Sequence, residues 1–415
     1  MRREPAKVIA AGWLIALLGC APLSAASPGT RNDVPASVPF VLDHNRMLVE
    51  AEFRRKDGSW RKARLWVDTG APDFFMSARL ARDLGIDLPA VKDEPESGRV
   101  RIPPPSGVRI GGVSVSFDGV ESSVLYEPFW LLSTMPIEAN LPARVLQRYN
   151  VVLDYPARRF ILAEPGSLQH RGRAVTAAVN RETGVVQIDA AIGGMSLSLA
   201  LDNGASYSFV SENTLEKLLA GKPGMPRMSG AAGCANIWGW WPGEATWTVA
   251  RVPEIRWGSL SLEGVGVVGL PPFPGGGPSL GTWYSKKTAR PVEGFLGPNA
   301  FKSYRVEIDY AHGVVYFAKQ EGSDTPDMDL VGLTLRPEAD GSYQVIGIAR
   351  KDGKETVRGV EAGDTLLRVN DLDVKGASMG TVVDALRGRP GEMRTLVLDR
   401  GGRRVEVKAR VEHLL

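Results

Sequence analysis

LWVDTGAPDFF, residues 65–75, decides how the chain is read. An apolar run enters Asp68-Thr69-Gly70, and the chain is apolar again by Phe74. A carboxylate at the end of a buried strand loses hydration, which costs free energy unless something satisfies it. By itself Asp68 reads as a turn residue accepting bonds from nearby N–H groups. The alternative is a catalytic carboxylate, and that chemistry needs a second carboxylate facing the first. The chain supplies one in a matching frame. LALDNGASYSFVSENTLEKLL (199–219) repeats the order of apolar strand, Asp-x-Gly-Ala turn, short apolar strand and helix-like pattern, with Asp202 in the place of Asp68. Leu80 and Leu84 share a face of the first expected helix, and Leu215 and Leu219 share a face of the second.

A second repeat lies downstream of each copy. IEANLPARVLQRYNVVLDYPARRFIL (137–162) aligns without gaps to VEGFLGPNAFKSYRVEIDYAHGVVYF (292–317). Asp154-Tyr155 matches Asp309-Tyr310, and each pair leads into a turn (YPAR, YAHG). These two aspartates therefore read as turn residues rather than as another catalytic pair. The second copy is longer, with its extra residues inside a Gly/Pro/Trp-rich tract between 221 and 291.

Three segments carry a family resemblance: Asp68-Thr69-Gly70-Ala71, Asp202-Asn203-Gly204-Ala205-Ser206, and Gly294-Phe295-Leu296-Gly297 ahead of RVEIDY. Together they resemble the aspartic proteases of the retropepsin and pepsin type, over roughly residues 45–320. The resemblance implies a mainly β, bilobal fold of two β-barrels, with lobes over 38–167 and 171–320. It implies Asp68 and Asp202 as the catalytic pair. Thr69, Gly70, Asn203 and Gly204 would form the supporting loops. It also implies a peptide or protein substrate, no covalent intermediate, and neither metal nor organic cofactor. Two carboxylates facing each other in a cleft cannot both ionise cheaply, so they share one proton. The charged partner takes a proton from water and the neutral one donates to the amide carbonyl. The proton belongs to the pair, so acid and base are not assigned to individual residues. Each loop glycine is expected to allow a tight turn beneath its carboxylate.

Two positions depart from the family pattern. Asn203 stands where Thr or Ser is expected, and its amide could reproduce the cross-loop bond or spread the pair. Pro142 stands where the second copy has Gly297, and proline's fixed φ and missing N–H predict a non-standard segment there. The rival to an active peptidase is therefore a degenerate protease scaffold that binds peptides as an envelope adaptor. Flap-like loops would lie at 92–107 and 233–247. Trp238, Trp240 and Trp241 in the latter either line an apolar cleft or pack inside an insertion. GPSLG (277–281) fits a nucleophile-elbow pattern, but Ser279 follows PPFPGGG, a loop rather than the strand that motif requires.

The 415 residues are too many for one ordinary core. The balance of 43% hydrophobic and 23% charged residues is that of a globular protein. The net charge is +3 with no long basic run, which argues against a nucleic-acid partner. MRREPAK and VIAAGWLIALLG form the basic and apolar parts of a leader over residues 1–25. LLGC, ending at Cys20, resembles a lipobox and would tether the protein to a membrane, whereas LSA before Ala26 suits ordinary cleavage. Either exit predicts export to the periplasm or cell envelope. Cys234, the only other cysteine, reads as a small buried hydrophobe, and His44, His170, His312 and His413 lack metal-ligand spacing.

EGSDTPDMD (321–329) reads as a polar linker, and 330–415 as strands around one or two helices. GVEAGDTLLRVNDLDV (359–374) resembles the PDZ family, with Ala362-Gly363-Asp364, Leu366-Leu367, Val369-Asn370 and Val374 in place. That resemblance implies a small PDZ-like β-sandwich or barrel. It would take a protein C-terminus or extended peptide by strand addition, with Gly332-Leu333-Thr334-Leu335 as the carboxylate loop.

Overall fold

Alternating residues in RMLVEAEFR and WRKARLWVD form the strands Arg46–Arg54 and Trp60–Asp68. In the second of these Ala63, Leu65 and Val67 point into the core while the residues between them are more open. They pair antiparallel from Leu48↔Trp66 to Arg54↔Trp60. The computed structural model describes residues 35–88, 99–125, 133–230, 243–273, 277–320 and 327–415. The leader with Cys20, Cys234, and Trp238, Trp240 and Trp241 lie outside these residues. Strands dominate the described residues, which contain only five α-helices.

Both copies of the first repeat build the same sheet. In the first half the order is Arg46–Arg54, Trp60–Asp68, Ala139–Pro142, Phe74–Ser77, Ser122–Leu125. In the second half it is Val186–Ile192, Met195–Leu201, Gly294–Leu296, Ser208–Ser211, Leu260–Leu270. Successive pairings are antiparallel, parallel, antiparallel and parallel in both. Helices Ala78–Asp83 and Glu212–Gly221 follow at equivalent places, each N-capped by a serine side chain, Ser77 or Ser211. Leu80, Leu84, Leu215 and Leu219 are buried, as their spacing predicts.

The second repeat joins the halves. A six-stranded sheet runs Ala36–Pro39, Arg159–Ala163, Asn150–Asp154, Tyr304–Asp309, Val314–Lys319, Arg173–Thr176. Its two middle strands are the repeated ones, paired antiparallel with each other from Asn150↔Asp309 to Asp154↔Arg305. Val151, Leu153, Val306 and Ile308 beneath them belong to one continuous core drawn from both halves. Asp154 and Asp309 are turn aspartates, as read: Asp154 accepts from the Ala157 N–H at 3.0 Å and Asp309 from the His312 N–H at 3.1 Å.

Pro142 does not distort its segment. Ala139–Pro142 runs parallel to Trp60–Asp68, with Pro142 opposite Asp68. The proline is the last residue of the strand, and its φ of −82° is one the ring favours. The next N–H, of Ala143, donates to the Ala71 carbonyl at 2.8 Å, so the segment stays bonded to the first loop past the proline. In the second half glycine is required: a Cβ on Gly297 would lie 2.6 Å from the Tyr207 carbonyl carbon.

The C-terminal region forms a sheet ordered Leu333–Pro337, Tyr343–Ile348, Thr365–Val369, Met393–Arg400, Arg403–Arg410, with one longer helix, Met379–Leu386. Its core is continuous with that of the second half, through Tyr207, Phe209, Val268 and Phe295. The described part of the expected linker is not free. Asp327 is buried, accepting from the Tyr207 hydroxyl at 2.9 Å and pairing with Arg251 at 3.1 Å. The helix start also meets the first half, where the Gly380 N–H donates to Asp43 at 2.6 Å and the Met379 N–H to Ser133 at 3.0 Å.

Candidate active site

Each aspartate is set by its own loop. Asp68 Oδ1 accepts from the N–H groups of Gly70 and Ala71 at 3.0 and 2.9 Å. Asp202 Oδ1 accepts from those of Gly204 and Ala205 at 2.9 and 3.1 Å. The two loops are then tied crosswise. The Thr69 hydroxyl donates to the Leu201 carbonyl at 2.9 Å and accepts from the Asn203 N–H at 3.0 Å. In return Asn203 Oδ1 accepts from the Thr69 N–H at 2.8 Å. The asparagine thus keeps the loops together. Thr69 and Asn203 are fully buried, which strengthens these bonds.

The carboxylates face the opposite loops. A Cβ on Gly70 would lie 2.5 and 2.6 Å from the two Asp202 oxygens. A Cβ on Gly204 would lie 2.6 Å from Asp68 Cγ and 3.0 Å from Asp202 Oδ1, so those two atoms are no farther apart than these lengths combined. Neither glycine has a left-handed φ. The chain does turn beneath each carboxylate, but that turn does not itself require glycine; a side chain at either position would strike the facing carboxylate. Asp68 and Asp202 are only 5% and 6% exposed. Burial raises both carboxyls above the usual range, and the Asp202 charge adds to the rise at Asp68, against the lowering effect of the loop N–H bonds. Such a pair holds one proton over a pH range where isolated carboxyls would hold none.

Several neighbours carry no sequence signal of their role. His44 and Asn45, both at positive φ, form the turn of a hairpin whose strands are Val41–Asp43 and Arg46–Arg54. Asn45 Nδ2 donates to the Ser206 carbonyl at 2.8 Å, so the first half's hairpin tip touches the second loop. Beside it Arg46 is buried, and desolvation lowers its guanidinium to about 10 while Asp43, Glu244, Asp202 and Asp68 oppose the shift. The Tyr284 hydroxyl donates to the Gly70 carbonyl, and its ring meets Phe295 edge-on at 4.3 Å. Lys287, half-buried, interacts electrostatically with Asp73, Asp68 and Asp202, while burial lowers its pKa. Tyr284 and Lys287 sit in the long insertion, where spacing gave no register.

The remaining sequence expectations fall elsewhere. Gly332-Leu333-Thr334-Leu335 is far from the pair in sequence and wholly buried. Leu333–Pro337 is an edge strand, and the Leu333 N–H is used by the Val331 carbonyl at 2.8 Å. Of the first flap-like segment, Arg99–Ile102 is a strand paired with Ser122–Leu125. Ser279 caps the helix Leu280–Tyr284, accepting from the Thr282 N–H at 3.2 Å, and among the described residues no strand leads into it. Among the described residues no group of three or more metal-ligating side chains occurs.

No protein-family model matches the chain, and no curated protein matches it. Among solved structures, the crystal structure of an aspartic proteinase from Irpex lacteus is similar at 12% sequence identity and a TM-score of 0.38. The match covers 70% of this chain and 99% of that one.

Proposed function

We propose that the chain is an aspartic-type endopeptidase in which Asp68 and Asp202 share the catalytic proton. The observation that carries this reading is the reciprocal seating of each carboxylate against the other loop's glycine, with Thr69 and Asn203 tying the loops. In this reading a water lies between the carboxyls. Its oxygen bonds to the amide carbon as its proton passes to the charged carboxylate, and the neutral carboxyl gives its proton to the carbonyl oxygen. The tetrahedral diol then collapses: the C–N bond breaks, the nitrogen takes the proton of the neutral carboxyl, one diol hydroxyl returns its proton to the charged carboxylate, and an acid and an amine leave with the pair again holding one proton. No atom of the protein becomes bonded to substrate.

The leader motif and the lipobox-like LLGC support export, with Cys20 as a tether in the cell envelope. The C-terminal sheet with its one longer helix is compatible with a PDZ-like fold, but Gly332-Leu333-Thr334-Leu335 is buried and offers no open loop to a peptide carboxylate. A second reading, a peptide-binding scaffold without turnover, draws on one observation: the Tyr284 hydroxyl already occupies the Gly70 carbonyl beside the pair.

The test is digestion of a mixed peptide library from acid to neutral pH by the purified chain, Asp68→Asn and Asp202→Asn. Cleavage lost in both variants and blocked by a hydroxyl-bearing transition-state mimic is expected. Cleavage that survives both substitutions refutes the dyad. Binding without cleavage at every pH moves the protein to the scaffold reading.

A further inference from the structure

We propose that Lys287 sets the substrate specificity of the cleft by pairing with a carboxylate, so that favoured peptides carry Asp or Glu next to the bond that is cut. This rests on the peptidase reading above.

The segment holding Lys287 is fixed at several points. Ser279 caps its short helix, and the Tyr284 hydroxyl fastens the helix end to the Gly70 carbonyl of the first loop. The Lys287 N–H donates to the Tyr284 carbonyl at 2.7 Å, and its own carbonyl accepts from the Thr183 hydroxyl at 2.6 Å. The side chain therefore leaves an anchored backbone beside the pair. Its Nζ lies 4.4 Å from the centre of the Trp283 ring and 5.7 Å from that of Tyr284. Aromatic faces hold the ammonium in place but accept none of its hydrogen bonds in full. Among the described residues no carboxylate lies within ion-pair distance of it. The fixed carboxylate that acts on it most, Asp73, is already shared by Arg99 at 3.9 Å and Arg144 at 3.8 Å.

A half-buried ammonium with three donors and, among the described residues, no carboxylate within ion-pair distance is costly unless a partner arrives. Asp68 and Asp202, sharing one proton, carry one negative charge and would repel an acidic substrate. A cation at this place reverses the repulsion locally and rewards a carboxylate placed near the scissile bond. The competing account is that Lys287 acts only on the protonation of the pair.

The experiment compares three peptides that differ only in having Glu, Gln or Lys beside the cleaved bond, with the full chain, Lys287→Met and Lys287→Glu. It reads kcat/KM over pH. It also reads the Kd of matching analogues whose scissile amide is reduced and cannot be cut. Wild type is expected to favour Glu over Gln by about 10- to 100-fold, the worth of one hydrogen bond to a charged group. In Lys287→Met that ratio falls to near one, and in Lys287→Glu the Lys peptide becomes the best, whatever the absolute rates. A wild type that does not distinguish Glu from Gln overturns the proposal. So does a pH shift in Lys287→Met with the ranking unchanged. If nothing is cleaved the peptidase reading fails, yet the Kd ratios still decide the role of Lys287. Equal Kd values in wild type then refute it.

Discussion

Gly70→Ala and Gly204→Ala test the geometry of the pair directly. The added methyl on residue 70 arrives 2.5 Å from an Asp202 oxygen, whereas ordinary contact begins at 3.4 Å. The carboxylate must withdraw by about 1 Å, a displacement that costs on the order of 10²-fold in rate, or roughly 2.7 kcal/mol of transition-state stabilisation. Overpacking in the buried loops adds about 1–3 kcal/mol of lost stability. Gly204→Ala does the same to Asp68, whose Cγ lies 2.6 Å from the new methyl. Neither position has a φ that alanine avoids, so backbone strain does not contribute. Gly224→Ala is the control, with nothing within 4 Å of its added methyl. The assays are kcat/KM on a library-derived peptide and urea unfolding. Both loop variants should fall about 10²-fold while Gly224→Ala stays near wild type. A Gly70→Ala protein with wild-type kcat/KM and wild-type stability would refute the claim that each carboxylate packs against the opposite glycine.

Three further outcomes follow from the same contacts. Both carboxyls have raised pKa values in the fold, so their penalty is absent when both states are protonated, below the ordinary carboxylate range. It grows as pH rises through the raised values, and Asp68→Asn should gain stability over wild type from acid to neutral pH in urea titrations. Asn203→Ala strips the acceptor from the buried Thr69 N–H, and unfolding free energy should drop by about 1–3 kcal/mol. Gly297→Ala strikes the Tyr207 backbone and should destabilise the fold, while Pro142→Ala at the equivalent place should change stability little, both read by thermal melts.

Much of this architecture is legible in the chain because it is written twice. Periodicity placed the strand ends at Asp68 and Asp202, the capped helices behind them, and the two turn aspartates. The two departures are visible in the sequence, but their consequences are not. Whether Asn203 holds or spreads the loops depends on where Thr69 lies, and whether Pro142 disrupts depends on its N–H being needed. Neither is a local property. The same limit explains why Asn45, Arg46, Tyr284 and Lys287 gave no signal: each reaches the loops from a distant segment or from an insertion. Asp327 looked like linker because a polar residue near glycine and proline reads as solvent-exposed until its partners Tyr207 and Arg251 are known.

The antiparallel pairing of Asn150–Asp154 with Tyr304–Asp309 has a consequence for how the site comes into being. Both halves belong to one polymer and share one hydrogen-bonded sheet, so the two carboxylates are brought together by folding itself. No encounter between separate molecules is needed, and the fraction of molecules with an assembled pair should not fall on dilution. A site made from two identical chains must carry the same loop twice. Here one loop presents a hydroxyl and the other an amide, and the crosswise bonds of Thr69 and Asn203 use both.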